Sequence, residues 1–220
     1  MRLRCEALLF DLDGVLVDSR AVVERTWRHW AQRHGLDPTT LLRVAHGRRT
    51  RETLQAVVPH LNLASEVAWL DAAELADVDG LVAVTGALRL LSALPASAWA
   101  VVTSGGRTLA QRRLEAAGVP IPSVLVTSED VTLGKPAPEG YQLAAQRLGR
   151  EPESCLVFED APPGVAAGRA AGARVVAITT THSAHQLQEA DVVITSLSGI
   201  TVHPDGAGFL VEVSPEGNRG

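Results

Sequence analysis

The sequence has few cysteines, few aromatic residues and no apolar run of membrane-spanning length. Its 220 residues include 2 cysteines, Cys5 and Cys155, each within an apolar run. They resemble neither a disulfide framework nor a thiolate metal site, so we expect both to be reduced core residues. Near the N-terminus, Glu6 and Asp11 interrupt the apolar stretch well before a signal peptide or membrane helix is complete. We therefore predict a cytoplasmic protein.

The sequence also lacks blocks of one charge. Its 25 acidic and 20 basic residues are interspersed and give a formal net charge of -5. Such a distribution provides no positive surface for nucleic acid or for a membrane. We expect a small soluble molecule as the partner, and a chain that acts as a monomer or a weak homodimer.

Apolar runs rich in Val, Ile, Leu and Ala recur along the chain. They cover residues 7–12, 98–103, 124–127, 155–159, 174–178 and 192–194. Runs of this kind are typical of buried parallel strands. Segments with helical periodicity lie between most of them, and two of these, 109–117 and 164–171, are followed by a glycine that can end a helix. The alternation predicts an α/β core with a doubly wound, Rossmann-like parallel sheet.

One segment breaks this alternation. Residues 18–79 carry no strand pattern but show helical patterns at 22–34, 41–45, 51–57 and 65–76. We predict an inserted helical cap domain over 18–80, with the catalytic core formed by 1–17 and 81–220. After residue 200, we expect an edge strand at 209–213 and a frayed end at 214–220.

Polar residues stand where the apolar runs end. They are Asp11 and Asp13, then Thr103, Ser104 and Gly105, then Lys135 in a loop, then Glu159 and Asp160. Ligands of parallel sheets bind beyond the carboxyl ends of the strands, so these residues are predicted to share one site.

A cation is expected at this site. Two unit charges about 4 Å apart repel by roughly 4 kcal/mol at an effective dielectric constant of 20, and here four carboxylates converge. Mg²⁺ prefers oxygen ligands, usually one or two carboxylates with waters and a substrate phosphate. The alternative for Asp11 and Asp13 is a structural turn, because Asp-Gly is a common turn pair.

Lysine is almost absent. Among 20 Lys and Arg residues, Lys135 alone is lysine. An ammonium group is a compact point charge, whereas a guanidinium is a wide planar fork, so Lys135 suits a position beside a phosphate and a carboxylate. The alternative is a solvated lysine in a loop.

Four ordered segments carry a family resemblance. They are 8–19 (LLFDLDGVLVDS), 103–105 (TSG), 134–136 (GKP) and 158–160 (FED). Together they resemble the haloacid dehalogenase superfamily of phosphohydrolases over the chain as far as about residue 194. The Asp-x-Asp pattern is similar to that of the phosphotransfer branch. The small helical insertion resembles the subgroup of sugar phosphatases, glycerol-phosphate phosphatases and β-phosphoglucomutase.

The resemblance implies a role for each motif. Asp11 would attack phosphorus, while Asp13 would protonate the leaving oxygen and then activate water. Thr103, Ser104, Gly105 and the amides that follow would hold the phosphoryl oxygens, and Lys135 would bridge them to Asp11. The Mg²⁺ ligands would come from Asp11, Asp13 through its backbone carbonyl, and Asp160, with Glu159 nearby or contributing.

The cap would set specificity. Residues 46–51 (HGRRTR) look like the corresponding stretch of sugar and deoxysugar phosphatases, so His46 and Arg49 are candidate substrate contacts. The alternative is a basic helix start on the cap surface. We expect hydrolysis of a sugar or polyol phosphate. A mutase is the alternative activity, although no histidine occupies residues 18–28, where mutases of this subgroup place one. A non-catalytic binding protein is disfavoured because all the motif residues are present.

Overall fold

A computed structural model describes residues 1–45 and 48–214 of the chain. The strands are β1 (Arg2–Cys5), β2 (Ala7–Phe10), β3 (Val17–Asp18), β4 (Val82–Ala83), β5 (Trp99–Val102), β6 (Val124–Val126), β7 (Cys155–Glu159), β8 (Arg174–Ile178), β9 (Val192–Ile194), β10 (Ile200–Asp205) and β11 (Gly208–Val213). The helices are α1 (Arg20–Arg33), α2 (Pro38–Ala45), α3 (Thr50–Val57), α4 (Leu63–Ala76), α5 (Ala87–Ser92), α6 (Arg107–Ala116), α7 (Glu139–Arg147) and α8 (Pro162–Ala170).

Six strands form the central sheet, and every pairing in it is parallel. Their order is β6-β5-β2-β7-β8-β9, which matches the six apolar runs of the sequence. Successive side chains of β2 alternate, so that Leu8 and Phe10 join one apolar cluster while Ala7 and Leu9 join another. Because both faces are covered, the strands contain almost only apolar residues. The predicted doubly wound α/β fold is confirmed.

A second sheet joins the two ends of the described chain. It contains β1, β11 and β10 in that order, all antiparallel. The strand expected at 209–213 is confirmed, but its expected position at an edge is wrong, because β11 lies between two partners. In β1, buried Leu3 and Cys5 alternate with exposed arginines, which is the pattern of a strand with one solvent face. Most of the expected frayed end, residues 215–220, lies outside the described residues.

Four helices, α1 to α4, occupy the segment between β3 and β4. They pack around an apolar cluster of their own, which includes Trp27, Trp30, Leu54 and Leu70. The two tryptophans are three residues apart on α1 and therefore point into this cluster together. The short strands β3 and β4 pair antiparallel where the chain enters and leaves the segment. The cap boundaries at 18 and 80 stay a prediction.

Among the described residues, no helix combines the length and the apolar character needed to cross a bilayer. Cys5 and Cys155 are both buried and unpaired with each other. Burial raises the pKa of the Cys5 thiol to about 12 and that of Cys155 to about 11.

Candidate active site

The predicted site residues converge at the carboxyl edge of the central sheet. Asp11 directly follows β2, Thr103 directly follows β5, and Asp160 directly follows β7. Since these strands are parallel neighbours, their ends lie side by side. Lys135 comes from the loop between β6 and α7. Asp11, Lys135 and Asp160 are each less than a tenth exposed.

The ammonium group of Lys135 lies among three oxygen atoms. Nζ donates hydrogen bonds to Oδ1 of Asp11, to Oε1 of Glu159 at 2.6 Å and to the backbone carbonyl of Val102 at 3.1 Å. Burial by itself would lower the pKa of Lys135, but the neighbouring carboxylates of Asp11 and Glu159 hold that pKa above its usual range. The lysine is therefore charged and fixed, and is not a solvated loop residue.

Glu159 uses both of its carboxylate oxygens within the protein. Oε1 accepts the bond from Lys135 and another from the hydroxyl of Tyr141 at 2.6 Å. Oε2 accepts bonds from the backbone amides of Asp160 at 3.0 Å and Ala161 at 3.4 Å. A Cβ atom at Gly164 would lie 1.8 Å from Oε1, so only glycine leaves room for this carboxylate. Tyr141 was not predicted, because no motif marks it.

Three buried carboxylates could hold a metal ion. Asp11, Glu159 and Asp160 can place one oxygen each within 4.8 Å of one another. Burial, opposed by Lys135 and reinforced by Glu159, raises the pKa of Asp11 to about 7. Burial and the charges of Asp11 and Glu159 raise the pKa of Asp160 well above its usual range. One ammonium group for three acids leaves an excess of negative charge, which a hard divalent cation with oxygen ligands would neutralise. The residues therefore fit such an ion.

A tight turn brings the backbone close to Asp160. Gly14 has a φ of +80°, and a Cβ atom there would lie 2.0 Å from Oδ2 of Asp160. Thr180 supports the same turn by donating a 2.6 Å hydrogen bond to the carbonyl of Gly14. Thr181 donates a 3.1 Å bond to the carbonyl of Asp160. These two threonines follow β8. They could have been predicted as site residues, because the carboxyl end of this parallel strand lies at the same edge of the sheet.

Asp13 lies beside Asp11 and has two side-chain partners among the described residues. The hydroxyl of Ser19 donates to its Oδ1 at 2.6 Å, and Nη1 of Arg113 donates to its Oδ2 at 2.7 Å. Nη2 of Arg113 donates to Oε2 of Glu74 on α4 at 2.5 Å. Sequence reasoning missed Arg113 and Glu74. Helical spacing could have identified Arg113, because it lies on the same face of α6 as the buried residues Leu109 and Ala110.

The turn after β5 carries the predicted phosphate contacts. Thr103, Ser104 and Gly105 all line the cavity above Asp11. The amide of Gly105 donates to Oγ1 of Thr103 at 3.1 Å, and the amide of Arg107 donates to Oε1 of Glu129 at 2.9 Å. These two amides are thus paired within the protein.

A cavity of about 370 Å³ separates the sheet edge from the helical segment. Asp11 and Asp13 line it on the sheet side, and Trp27, Asp71 and Glu74 line it on the helical side. It therefore combines charged groups with an aromatic wall.

Two residues of the inserted segment, Arg49 and His46, were predicted to contact substrate. Arg49 lines the cavity, but its guanidinium donates to the carbonyls of Val131 at 2.9 Å and Thr132 at 3.1 Å, which joins the helical segment to the core. His46 lies outside the described residues.

Comparison with known proteins places this geometry in a family. A model of the haloacid dehalogenase-like hydrolases matches residues 5–172. Hexitol phosphatase A of Escherichia coli is 44% identical over 211 residues, which cover 93% of this chain and 98% of that protein. Glycerol-1-phosphate phosphohydrolase 2 of Saccharomyces cerevisiae is 35% identical over 217 residues, which cover 92% of this chain and 86% of that protein. A crystal structure of a hydrolase from Pseudomonas syringae superposes with a TM-score of 0.80 at 25% identity, covering 88% of this chain and 94% of that one.

Proposed function

The chain belongs to the haloacid dehalogenase-like hydrolase family, as an enzyme that hydrolyses phosphate monoesters, and we propose that it is a magnesium-dependent phosphatase that acts through an aspartyl-phosphate on Asp11. The observation that carries this proposal is the position of Asp11. Its carboxylate is buried, lines the cavity, accepts a hydrogen bond from Lys135 and lies near Asp160. A carboxylate nucleophile splits a difficult displacement into two easier steps.

Asp11 and Asp13 divide the chemistry between them. In the first step an Asp11 oxygen bonds to phosphorus, the bond from phosphorus to the ester oxygen breaks, and Asp13 gives its proton to that oxygen. In the second step Asp13 takes a proton from water, the water oxygen bonds to phosphorus, and Asp11 is released as a carboxylate. Lys135 stabilises the charge that develops on the phosphoryl oxygens. Thr103, Ser104 and Gly105 line the place where those oxygens would lie.

Asp11 and Asp160 would hold Mg²⁺ with their side chains, and Asp13 with its backbone carbonyl. The ion would neutralise negative charge on the phosphoryl group when it is bound. Glu159 was a candidate ligand. We assign it instead to orienting Lys135, because its two oxygens already accept four hydrogen bonds from the protein.

A sugar or polyol phosphate is the proposed substrate class, and residues 18–80 the proposed cap. The cavity offers the carboxylate of Asp71 on its helical side, and a carboxylate is a suitable acceptor for hydroxyl groups. The names of two relatives, a hexitol phosphatase and a glycerol-1-phosphate phosphohydrolase, support the same class. We also propose a cytoplasmic location and a monomer or weak homodimer.

Phosphate release from a panel of sugar, polyol and nucleoside phosphates tests the proposal. Wild type, Asp11→Asn and the exposed control Glu151→Gln would be assayed with Mg²⁺ and with EDTA. We expect metal-dependent release by wild type and Glu151→Gln, greatest with polyol or sugar phosphates, and none by Asp11→Asn. Release that survives in Asp11→Asn would refute the mechanism. Conversion of a hexose phosphate into an isomer without phosphate release would instead establish the mutase.

A further inference from the structure

Arg113 links Asp13 to the helical segment above it. Its Nη1 donates to Asp13 at 2.7 Å and its Nη2 donates to Glu74 at 2.5 Å. Arg113 belongs to α6, which follows a strand of the central sheet, whereas Glu74 belongs to α4, the last helix of the inserted segment. Arg113 is 5% exposed and Glu74 is 8% exposed. A buried ion pair therefore crosses from the core to the proposed cap at the residue expected to transfer protons.

A contribution to stability does not explain why an arginine is buried at position 113. Burying a guanidinium costs solvation free energy, and apolar residues of similar volume often replace buried ion pairs with no loss of stability. The pairing is also incomplete, because Nε of Arg113 is buried and has no hydrogen-bond partner among the residues that the structure describes. An apolar residue beside Leu109 and Ala110 would suit the buried face of α6 better.

The orientation of Asp13 depends on this arrangement. Ser19 and Arg113 each hold one oxygen of the carboxylate, which fixes its plane. Each oxygen can accept one further bond, and Asp13 lines the cavity. The planar fork of Arg113 is itself held from the other side by Glu74, so its direction depends on the packing of α4 against α6.

We propose that Arg113, held by Glu74, is a positioning residue that places the Asp13 carboxylate for proton transfer when the proposed cap packs against the core. This inference rests on the proposed function, because it assigns Asp13 the transfer of a proton to the leaving oxygen and from water. Arg113 would not touch the phosphoryl group in this role. Its loss would impair protonation of the leaving oxygen and activation of water. Attack by Asp11 would be spared only on an ester whose leaving group needs no proton.

Two substrates with different leaving groups separate these effects. The alkoxide of sorbitol phosphate needs a proton to leave, whereas p-nitrophenolate leaves without one. In Arg113→Met we expect kcat for sorbitol phosphate to fall about 100-fold, the lower range of a general acid contribution. Formation of the aspartyl-phosphate from p-nitrophenyl phosphate should stay within about threefold of wild type, while its hydrolysis slows. Rapid mixing should therefore reveal a burst of p-nitrophenol close to one equivalent per enzyme.

Three further variants complete the experiment. Arg112→Met removes the same charge from an exposed position one residue away on α6, and should behave as wild type. Glu74→Gln keeps the shape of the side chain but weakens its hold on Arg113, and should show the same pattern at about a tenfold loss. Arg113→Lys retains the cation but not the fork, and should recover only part of the activity on sorbitol phosphate. Glu74→Gln also serves if Arg113→Met does not fold.

Equal losses on both substrates without a burst would overturn the inference, because Arg113 would then support the fold or the phosphate site in general. Unchanged kcat for sorbitol phosphate in Arg113→Met would overturn it too. Failure of the proposed function has a different signature. Wild type would then release no phosphate with Mg²⁺, or Asp11→Asn would remain active, whatever the Arg113 variants do.

Discussion

Replacement of Lys135 by methionine should destabilise the metal-free protein strongly and in a pH-dependent way. The buried ammonium group bonds to Asp11 and to Glu159, so Lys135→Met leaves two buried carboxylates without their cation. Removal of one partner from a buried pair typically costs about 3–5 kcal/mol. We expect a loss of this size in the free energy of unfolding near about pH 8, which lies above the pKa of about 7 of Asp11.

The pH dependence follows from the pKa of Asp11. Burial, partly opposed by Lys135, raises the pKa of Asp11 to about 7. A carboxyl group whose pKa is raised by folding stabilises the folded state fully at pH values below its unfolded pKa of about 3.9. This contribution is lost as pH rises through the folded pKa. Without Lys135 that folded value rises further, at about 1.4 kcal/mol for each pKa unit, so the variant should lose more stability than wild type as pH increases. The cost of Lys135→Met should therefore be smaller near about pH 5, where Asp11 is protonated.

Urea unfolding in EDTA at both pH values measures these differences. Arg112→Met is the matched control, since it removes an exposed cation and should change the free energy of unfolding by less than about 0.5 kcal/mol. The double variant Lys135→Met/Glu159→Gln should recover part of the loss, because it removes one of the stranded charges. A cost below about 1 kcal/mol at the higher pH, or a cost that does not change with pH, would refute the reasoning.

Three other predictions concern the packing and titration of buried groups. Gly164→Ala should lower kcat at least about tenfold. The new Cβ would lie 1.8 Å from Oε1 of Glu159 and must displace that carboxylate, together with Lys135, which the carboxylate holds. Unchanged kinetics would contradict this contact. The apparent dissociation constant for Mg²⁺ should rise at least about tenfold between about pH 6 and pH 5, because the ion competes with protons on Asp11, whose pKa lies at about 7, and on Asp160, whose pKa burial also raises. Titration calorimetry would measure the rise, and a constant affinity would contradict it. Cys5 and Cys155 should resist a thiol reagent near about pH 8 until the protein unfolds, since burial raises their pKa values to about 12 and about 11; rapid labelling of the folded protein would count against this.

Much of the fold and of the catalytic edge could be predicted from sequence because the relevant signals are local. Each strand of the central sheet is buried on both faces and therefore shows as a continuous apolar run. Residues at the ends of such runs, as in the case of Asp11 and Asp160, must meet at one edge once the strands are parallel. The position of a residue at this edge does not reveal its catalytic role. The roles came from the resemblance of the four ordered motifs to a known family.

The contacts that escaped prediction depend on tertiary structure. Arg113 and Glu74 are 39 residues apart and look like ordinary charged residues of two helices, because nothing local shows that their helices meet. Tyr141 gave no signal either, since only the folded chain brings its hydroxyl to Glu159. The strand β10 escaped because half of its residues are exposed and because it includes Pro204, which is typical of an edge strand and weakens the apolar pattern.

Chemical trapping of the phosphorylated enzyme tests the central claim, that Asp11 itself takes up the phosphoryl group. Enzyme mixed with Mg²⁺ and sorbitol phosphate would be quenched in acid and reduced with borohydride, which converts an aspartyl-phosphate into homoserine. Asp13→Asn should retain more of the intermediate when p-nitrophenyl phosphate is the substrate, because its hydrolysis lacks a base. We predict homoserine at position 11 in the N-terminal peptide. The claim would be contradicted if active wild type and Asp13→Asn both yielded unmodified Asp11, or if homoserine were found at another position.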